Sequence, residues 1–129
     1  MNFFDGKLVT ENGKIHFDAG DFQIPIPDAI KSAYQGFVGK EVTFGIRPED
    51  IHNPEFTPSG IGTAKVGAKV EVTELMGNEI FVYLTTGSHQ SYIARVDPRS
   101  KYHYGDDVQV AFNMENFHIF DKETEEAIR

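Results

Sequence analysis

The chain has 129 residues, 40% hydrophobic and 25% charged, which suits one ordinary domain or two very small subdomains sharing a core. It contains no cysteine, which excludes disulfide staples, thiolate zinc sites and cysteine nucleophiles. Its 20 acidic and 12 basic residues leave a net charge of −8, which repels phosphate backbones and anionic lipid heads, so direct nucleic-acid binding is not expected.

At the start, Met1-Asn2-Phe3-Phe4-Asp5 lacks the basic and apolar regions of a secretory leader. Residues 3–9 read as a strand broken by the Asp5-Gly6 turn signal. Asn12-Gly13 tolerates positive φ at both central positions and turns the chain into a strand over 14–17. Residues 21–26 are a further extended run, and Pro25 and Pro27 place it at a sheet edge because proline cannot donate to a ladder. The best helix signal is 28–35, with Asp28 as its cap, Gly36 as its end and Ile30, Ala33, Tyr34 and Phe37 at helical spacing. Residues 40–46 form a strand that Arg47 continues, since a residue before proline is pushed to extended geometry. Residues 52–63, rich in proline and glycine, are the candidate internal seam.

The second half is more regular. Val66, Ala68, Val70 and Val72 alternate with Lys65, Gly67, Lys69 and Glu71, the pattern of a half-buried strand. Gly77-Asn78 returns it into 80–84, and Gly87-Ser88 returns that into 91–96, which Asp97-Pro98 stops. Gly105-Asp106 opens a strand over 108–112, and 117–121 makes the last one. Short strands, close turns and one small helix predict an all-β, OB-fold-like, partly open antiparallel barrel in two linked lobes.

The candidate sites are few. A phosphate-binding loop needs Gly, four residues, then Gly-Lys and a hydroxyl. Gly36-Phe37-Val38-Gly39-Lys40 has the wrong spacing with Glu41 at the hydroxyl position, and the stretch from Gly62 has Ala68 where the lysine belongs. At Arg47-Pro48-Glu49-Asp50 the strand ends. Pro48 suits a first helical position, and Glu49 and Asp50 suit the positive end of a short turn. Arg47 either reaches a carboxylate across a boundary or closes a local structural corner. Glu74 and Glu79 flank the Gly77-Asn78 turn as hydrated carboxylates or a partner surface, with no feature that divides acid and base duties between them. His16 and Asp18 share a strand face without a nameable third ligand, so no metal is assigned, and Ser88-His89 has no identifiable acid to form a triad. Most of the sixteen aromatics belong to a core. Tyr102-His103-Tyr104, in a loop, is the exposed exception.

Four ordered blocks carry a family resemblance. They are Val42-Thr43-Phe44-Gly45-Ile46-Arg47-Pro48-Glu49-Asp50-Ile51, Val70-Glu71-Val72-Thr73-Glu74-Leu75-Met76-Gly77-Asn78-Glu79, Gly105-Asp106-Asp107-Val108 and His118-Ile119-Phe120-Asp121. In these the chain resembles the C-terminal regulatory domain, of the transport-associated OB (TOBE) type, of the ATP-binding subunits of maltose- and multiple-sugar-type ABC importers. Even Met1-Asn2-Phe3-Phe4 is similar to the junction that follows the ATPase half in that family. The resemblance implies a non-catalytic regulatory and dimerisation domain spanning 1–129. It pairs with its own copy, holds the two ATPase halves near each other and docks a regulatory protein. The wider partners it implies are its own ATPase domain and, through that, membrane permease subunits, at the cytoplasmic face of the cell membrane. ATP and Mg would bind the ATPase domain, absent from this chain, so no cofactor is assigned here. The family-motif and interface candidates are Gly45, Arg47, Pro48, Glu49, Glu74, Gly77, Glu79, Tyr102 and Tyr104. The rival readings are an effector-binding OB module for sugars or oxyanions and a nucleic-acid-binding OB protein.

Overall fold

The computed structural model describes residues 1–87 and 91–128. The Ser88-His89 pair and the second residue of the Gly87-Ser88 turn lie outside them. Ten strands run in the order β1 (Asn2–Glu11), β2 (Lys14–Asp18), β3 (Gln23–Pro25), β4 (Glu41–Ile46), β5 (Ile51–His52), β6 (Thr63–Met76), β7 (Glu79–Thr85), β8 (Tyr92–Val96), β9 (Asp107–Asn113) and β10 (His118–Asp121). Two compact units result. One contains Met1–Asn2 and Ile46–Asn116, the other Phe3–Gly45 and Phe117–Arg129. The all-β, OB-like architecture expected from the turn spacing is present. Residues 52–63, read from the sequence as a seam, lie inside the first of these units.

The 3–45 unit is built on the sheet β10-β4-β1-β2-β3. Asn12 (φ 54°) and Gly13 (φ 79°) make the tight turn that sets Glu11 opposite Lys14. β3 is the edge strand its prolines require, with Pro25 opposite His16. The expected break at Asp5-Gly6 is absent, because β1 runs through it unbroken. Gly6 serves close packing instead: a Cβ there would run into the Asp18 carbonyl and lie 2.8 Å from the Phe17 ring. The core is an aromatic column. Phe44 stacks on Phe17 at 5.1 Å and on Phe117 at 5.5 Å between ring centroids, and Tyr34 stacks on Phe117 at 6.4 Å. Each such pair adds about 0.5–1.5 kcal/mol beyond the area it buries.

The helix expected over 28–35 is instead a 3₁₀ segment, Asp28–Ala33, followed by a second, Gln35–Phe37. Ile30, Tyr34 and Phe37 donate to the carbonyls three residues back. So short a segment gains little from the cooperativity of an α-helix, so the tighter 3₁₀ geometry of short connectors competes well, and Pro27 fixes the start. Pro27 takes the cap position and Asp28 only the first turn. With threefold rather than 3.6 periodicity, Tyr34 alone of the four apolar positions is fully buried. The left-handed residue that releases the chain is Gly39 (φ 86°), not Gly36.

The 46–116 unit is built on the sheet β5-β9-β6-β7-β8. Its end strands, β5 and β8, come into contact, so the sheet curls into a nearly closed barrel. Inside lie Ala64, Val66, Ala68 and Val70 from β6, Val82 and Leu84 from β7, Ala94 and Val96 from β8, and Val110 and Phe112 from β9. Val72, expected on the same face, is 48% exposed. The pairing of β6 with β7 shifts register between Val70 and Val72, so Glu71 is the extra residue of a β-bulge and the inward alternation stops there. Among the described residues no helix is long and apolar enough to cross a membrane.

Gly6→Ala is expected to lower unfolding stability by about 1–3 kcal/mol through overpacking, read as a lower urea midpoint at unchanged slope.

Candidate functional site

The Arg47-Pro48-Glu49 corner grows directly from β4. Gly45, opposite His118, and Ile46 are buried, and Arg47 continues extended at φ −81°, ψ 152°. Pro48 opens a 3₁₀ turn, Pro48–Asp50, as its fixed φ favours, and the Asp50 N–H closes it on the Arg47 carbonyl at 2.9 Å. Glu49 is exposed. Asp50 is buried, and its carboxylate accepts from Asn116 Nδ2 at 3.2 Å. The Arg47 side chain is exposed and forms no ion pair among the described residues. Next along, His52 on β5 has its pKa pushed below the usual histidine range by burial, a shift that the Asp50 carboxylate opposes.

The second candidate region is the β6–β7 hairpin. Gly77 (φ 65°) makes its turn, and Met76 stands opposite Glu79. Glu74 pairs with Phe81, so the two glutamates sit one row apart on the same face rather than directly across the turn. Each has its own neighbour: Glu79 lies 3.6 Å from Arg95, and Glu74 raises the pKa of Tyr83 by its charge. Glu71 accepts from Ser91 Oγ at 2.7 Å. From Glu71 to Glu79 every residue is exposed, including Val72, Leu75 (72%) and Met76 (54%).

The loop aromatics divide. Tyr104 is 85% exposed, whereas Tyr102 is half-buried, its pKa pushed up to about 12 by burial first and the Glu55 charge second. His16 and Asp18 both sit on β2, but Asp18 is taken up by the Gly20 N–H at 2.8 Å and Gln23 Nε2 at 3.3 Å. Among the described residues no three His, Asp or Glu side chains converge to hold a metal.

The sequence reading missed two features. Asn2 uses both ends of its amide on one residue of the outer strand β8. Its Nδ2 donates to the Ile93 carbonyl at 2.8 Å, and the Ile93 N–H donates to its Oδ1 at 3.0 Å, which imitates a neighbouring strand. An asparagine two residues from the start offers no pattern that would reveal this. On the 3–45 unit, Phe3 and Phe120 lie 6.3 Å apart beside Thr43, Lys122 and Glu125 around an open groove of about 460 Å³. The alternation Phe3-out, Phe4-in was the available signal.

Two family descriptions match the chain in tandem: MalK OB fold domain over residues 1–51 and TOBE domain over 44–120. They overlap on the Gly45-Ile46-Arg47-Pro48-Glu49 block. Oligosaccharides import ATP-binding protein MsmX of Bacillus subtilis is 41% identical over 100% of this chain and 34% of its own length. Trehalose/maltose import ATP-binding protein MalK of Thermococcus litoralis is 39% identical, and Osmoprotective compounds uptake ATP-binding protein GgtA of Synechocystis is 35% identical. Each of these two matches covers 99% of this chain and 34% of the relative. The chain thus spans about a third of the length of the curated relatives it matches. A crystal structure of the cytoplasmic molybdate-binding protein ModG superposes with a TM-score of 0.64 over 92% of this chain and 94% of that one. At 13% identity this likeness speaks to fold alone.

A His52→Gln variant is expected to flatten the acid limb of the stability curve. The folded pKa lies below the unfolded one, so the unfolded chain binds the extra proton. Stability is full above the unfolded value, about 6.5, and is lost as pH falls through the folded value. Denaturation midpoints measured from about pH 8 down to pH 5 should fall more steeply for the wild type than for the variant.

Proposed function

The chain belongs to the family of MalK-type OB and TOBE domains, and from that premise we propose that it is the regulatory module of an ATP-binding subunit of a sugar importer. The observation that carries this reading is the pair of domain matches in tandem, with relatives aligned along 99–100% of the chain, two of them named for sugar import. In this reading the work is done by association and not by bond-making. Two copies of the module pair, and their pairing raises the effective concentration of the ATP-binding parts to which each is joined. A regulator that binds one arrangement of that pair better than another shifts the populations accordingly. ATP and Mg belong to the ATP-binding part, permease subunits are reached through it, and the assembly lies at the inner face of the membrane.

The residues fit a role of this kind. The Arg47 guanidinium is free of ion pairs among the described residues and stands at the corner that both family descriptions share. Its planar fork can bind a carboxylate of another chain with two parallel hydrogen bonds. The Tyr104 ring and the Phe3–Phe120 groove supply apolar area that a monomer leaves in water.

Light scattering of the purified chain over rising concentration should show the mass climbing from 14.5 kDa toward twice that value, with no turnover of ATP. A mass that stays monomeric at every concentration contradicts the pairing role.

A further inference from the structure

Strand β6 carries two partners in succession. Its first half, Thr63 to Lys69, pairs with β9, and its second half, Lys69 to Met76, pairs with β7 on the other side. Contact with the β9 side ends at Val70, whose N–H and carbonyl bond to Asp106 and Gly105. Beyond Val70 the outer edge of β6 pairs with no strand among the described residues. An open strand edge is usually blunted by lysine, proline or a cover. The bulge at Glu71 bends the strand, but the Val72–Met76 edge beyond it holds no lysine or proline and presents Val72, Glu74 and Met76 on one face and Thr73 and Leu75 on the other.

The apolar content is continuous with the interior. Leu75 stands opposite Ile80, and Ile80 opposite Val96, so a row of aliphatic side chains runs from the buried Val96 out to the exposed Leu75. The charge is one-sided. Glu71, Glu74 and Glu79 lie within the arm over residues 71–81, which contains no lysine or arginine of its own; Arg95 on β8 is held by Glu79 and Lys69 by Asp107.

We propose that the β6 edge from Glu71 to Met76 is a docking edge for a partner protein that contributes a strand of alternating basic and aliphatic residues. Main-chain hydrogen bonds would complete the ladder. On the face of Val72, Glu74 and Met76 the partner's lysine or arginine would reach Glu74, with the aliphatic stem along Val72 and Met76, and on the other face its aliphatic side chains would lie against Leu75. A second copy of this chain is the poorer occupant, because it brings the same glutamates, and like charges across a ladder are unfavourable. The proposal is separate from pairing of the module with itself, and the two can fail independently.

The test uses a short blocked peptide of alternating lysine and leucine, titrated at low salt into the isotope-labelled 129-residue chain, with an alternating glutamate–leucine peptide as its counterpart. Support is a set of amide shift changes and slowed amide exchange confined to residues 71–81, with the glutamate peptide inert. Binding to a Glu74→Lys variant should weaken by about tenfold. The variant's unchanged spectrum outside the arm checks that it folds. Shifts spread over the rest of the surface, equal response to both peptides, or no response overturn the proposal. Shifts in 71–76 that grow with protein concentration before any peptide is added also overturn it, in favour of a second copy.

Discussion

The 46–116 unit depends on one strand satisfying two ladders end to end. β6 is fourteen residues long, and β9 and β7 each take about half of it, on opposite edges. Where the partners change over, the strand must be inside the barrel on one side of the junction and outside it on the other. The bulge at Glu71 makes that change, ending the inward row of Ala64, Val66, Ala68 and Val70. The same event leaves an edge open and turns Val72, Leu75 and Met76 into surface. An apolar, acidic arm is therefore a direct consequence of how the barrel is closed.

The 3–45 unit is organised differently. Its core is the stack of Phe17, Phe44 and Phe117, one ring from each of β2, β4 and the residue that leads into β10. The stack brings together residues far apart in sequence, and Gly6 permits the close approach of β1 to β2 beside it. In the 46–116 unit, side chains serve where strands are lacking. The Asn2 amide occupies the outer edge of β8, and the Asp50 carboxylate accepts from Asn116, joining the segment that follows β4 to the one that precedes β10. The Gly45-Ile46-Arg47-Pro48-Glu49 block thus has a structural content: two buried residues ending a strand, an extended arginine, and a proline-started turn that delivers Asp50 to its partner.

Much of this was legible in the residues. Asn12-Gly13, Gly77-Asn78 and Gly105-Asp106 mark real turns because their backbone demands are local, and the period-2 rows of β6 through Val70 mark a real inner face. The errors arose where tertiary packing decided. Asp5-Gly6 has the chemistry of a turn, yet Gly6 was required by the Phe17 ring lying over it. Residues 28–35 have helical spacing, but a proline start and a length of two turns yielded 3₁₀ geometry. Val72 continued the alternation on paper, and only the adjacency of Leu75 and Met76 hinted that the strand had changed frame. At the candidate sites, the exposure of Tyr104 followed from its place in a loop, whereas Tyr102, expected to be exposed with it, is half-buried. The burial of Asp50 and the two-ended bond of Asn2 depended on partners 66 and 91 residues away.

Both units fill their interiors mainly with hydrophobic and aromatic side chains, and Arg47, Glu49, Glu74, Glu79 and Tyr104 stand exposed, the placement that the proposed role in association requires. The most direct measurement exchanges the matched third of the Bacillus subtilis relative MsmX for this chain and follows oligosaccharide uptake in cells against a subunit lacking that third. The account predicts that the exchanged subunit restores uptake well above the truncated one. Uptake no better than that of the truncated subunit, with the exchanged protein present at normal abundance, would contradict it.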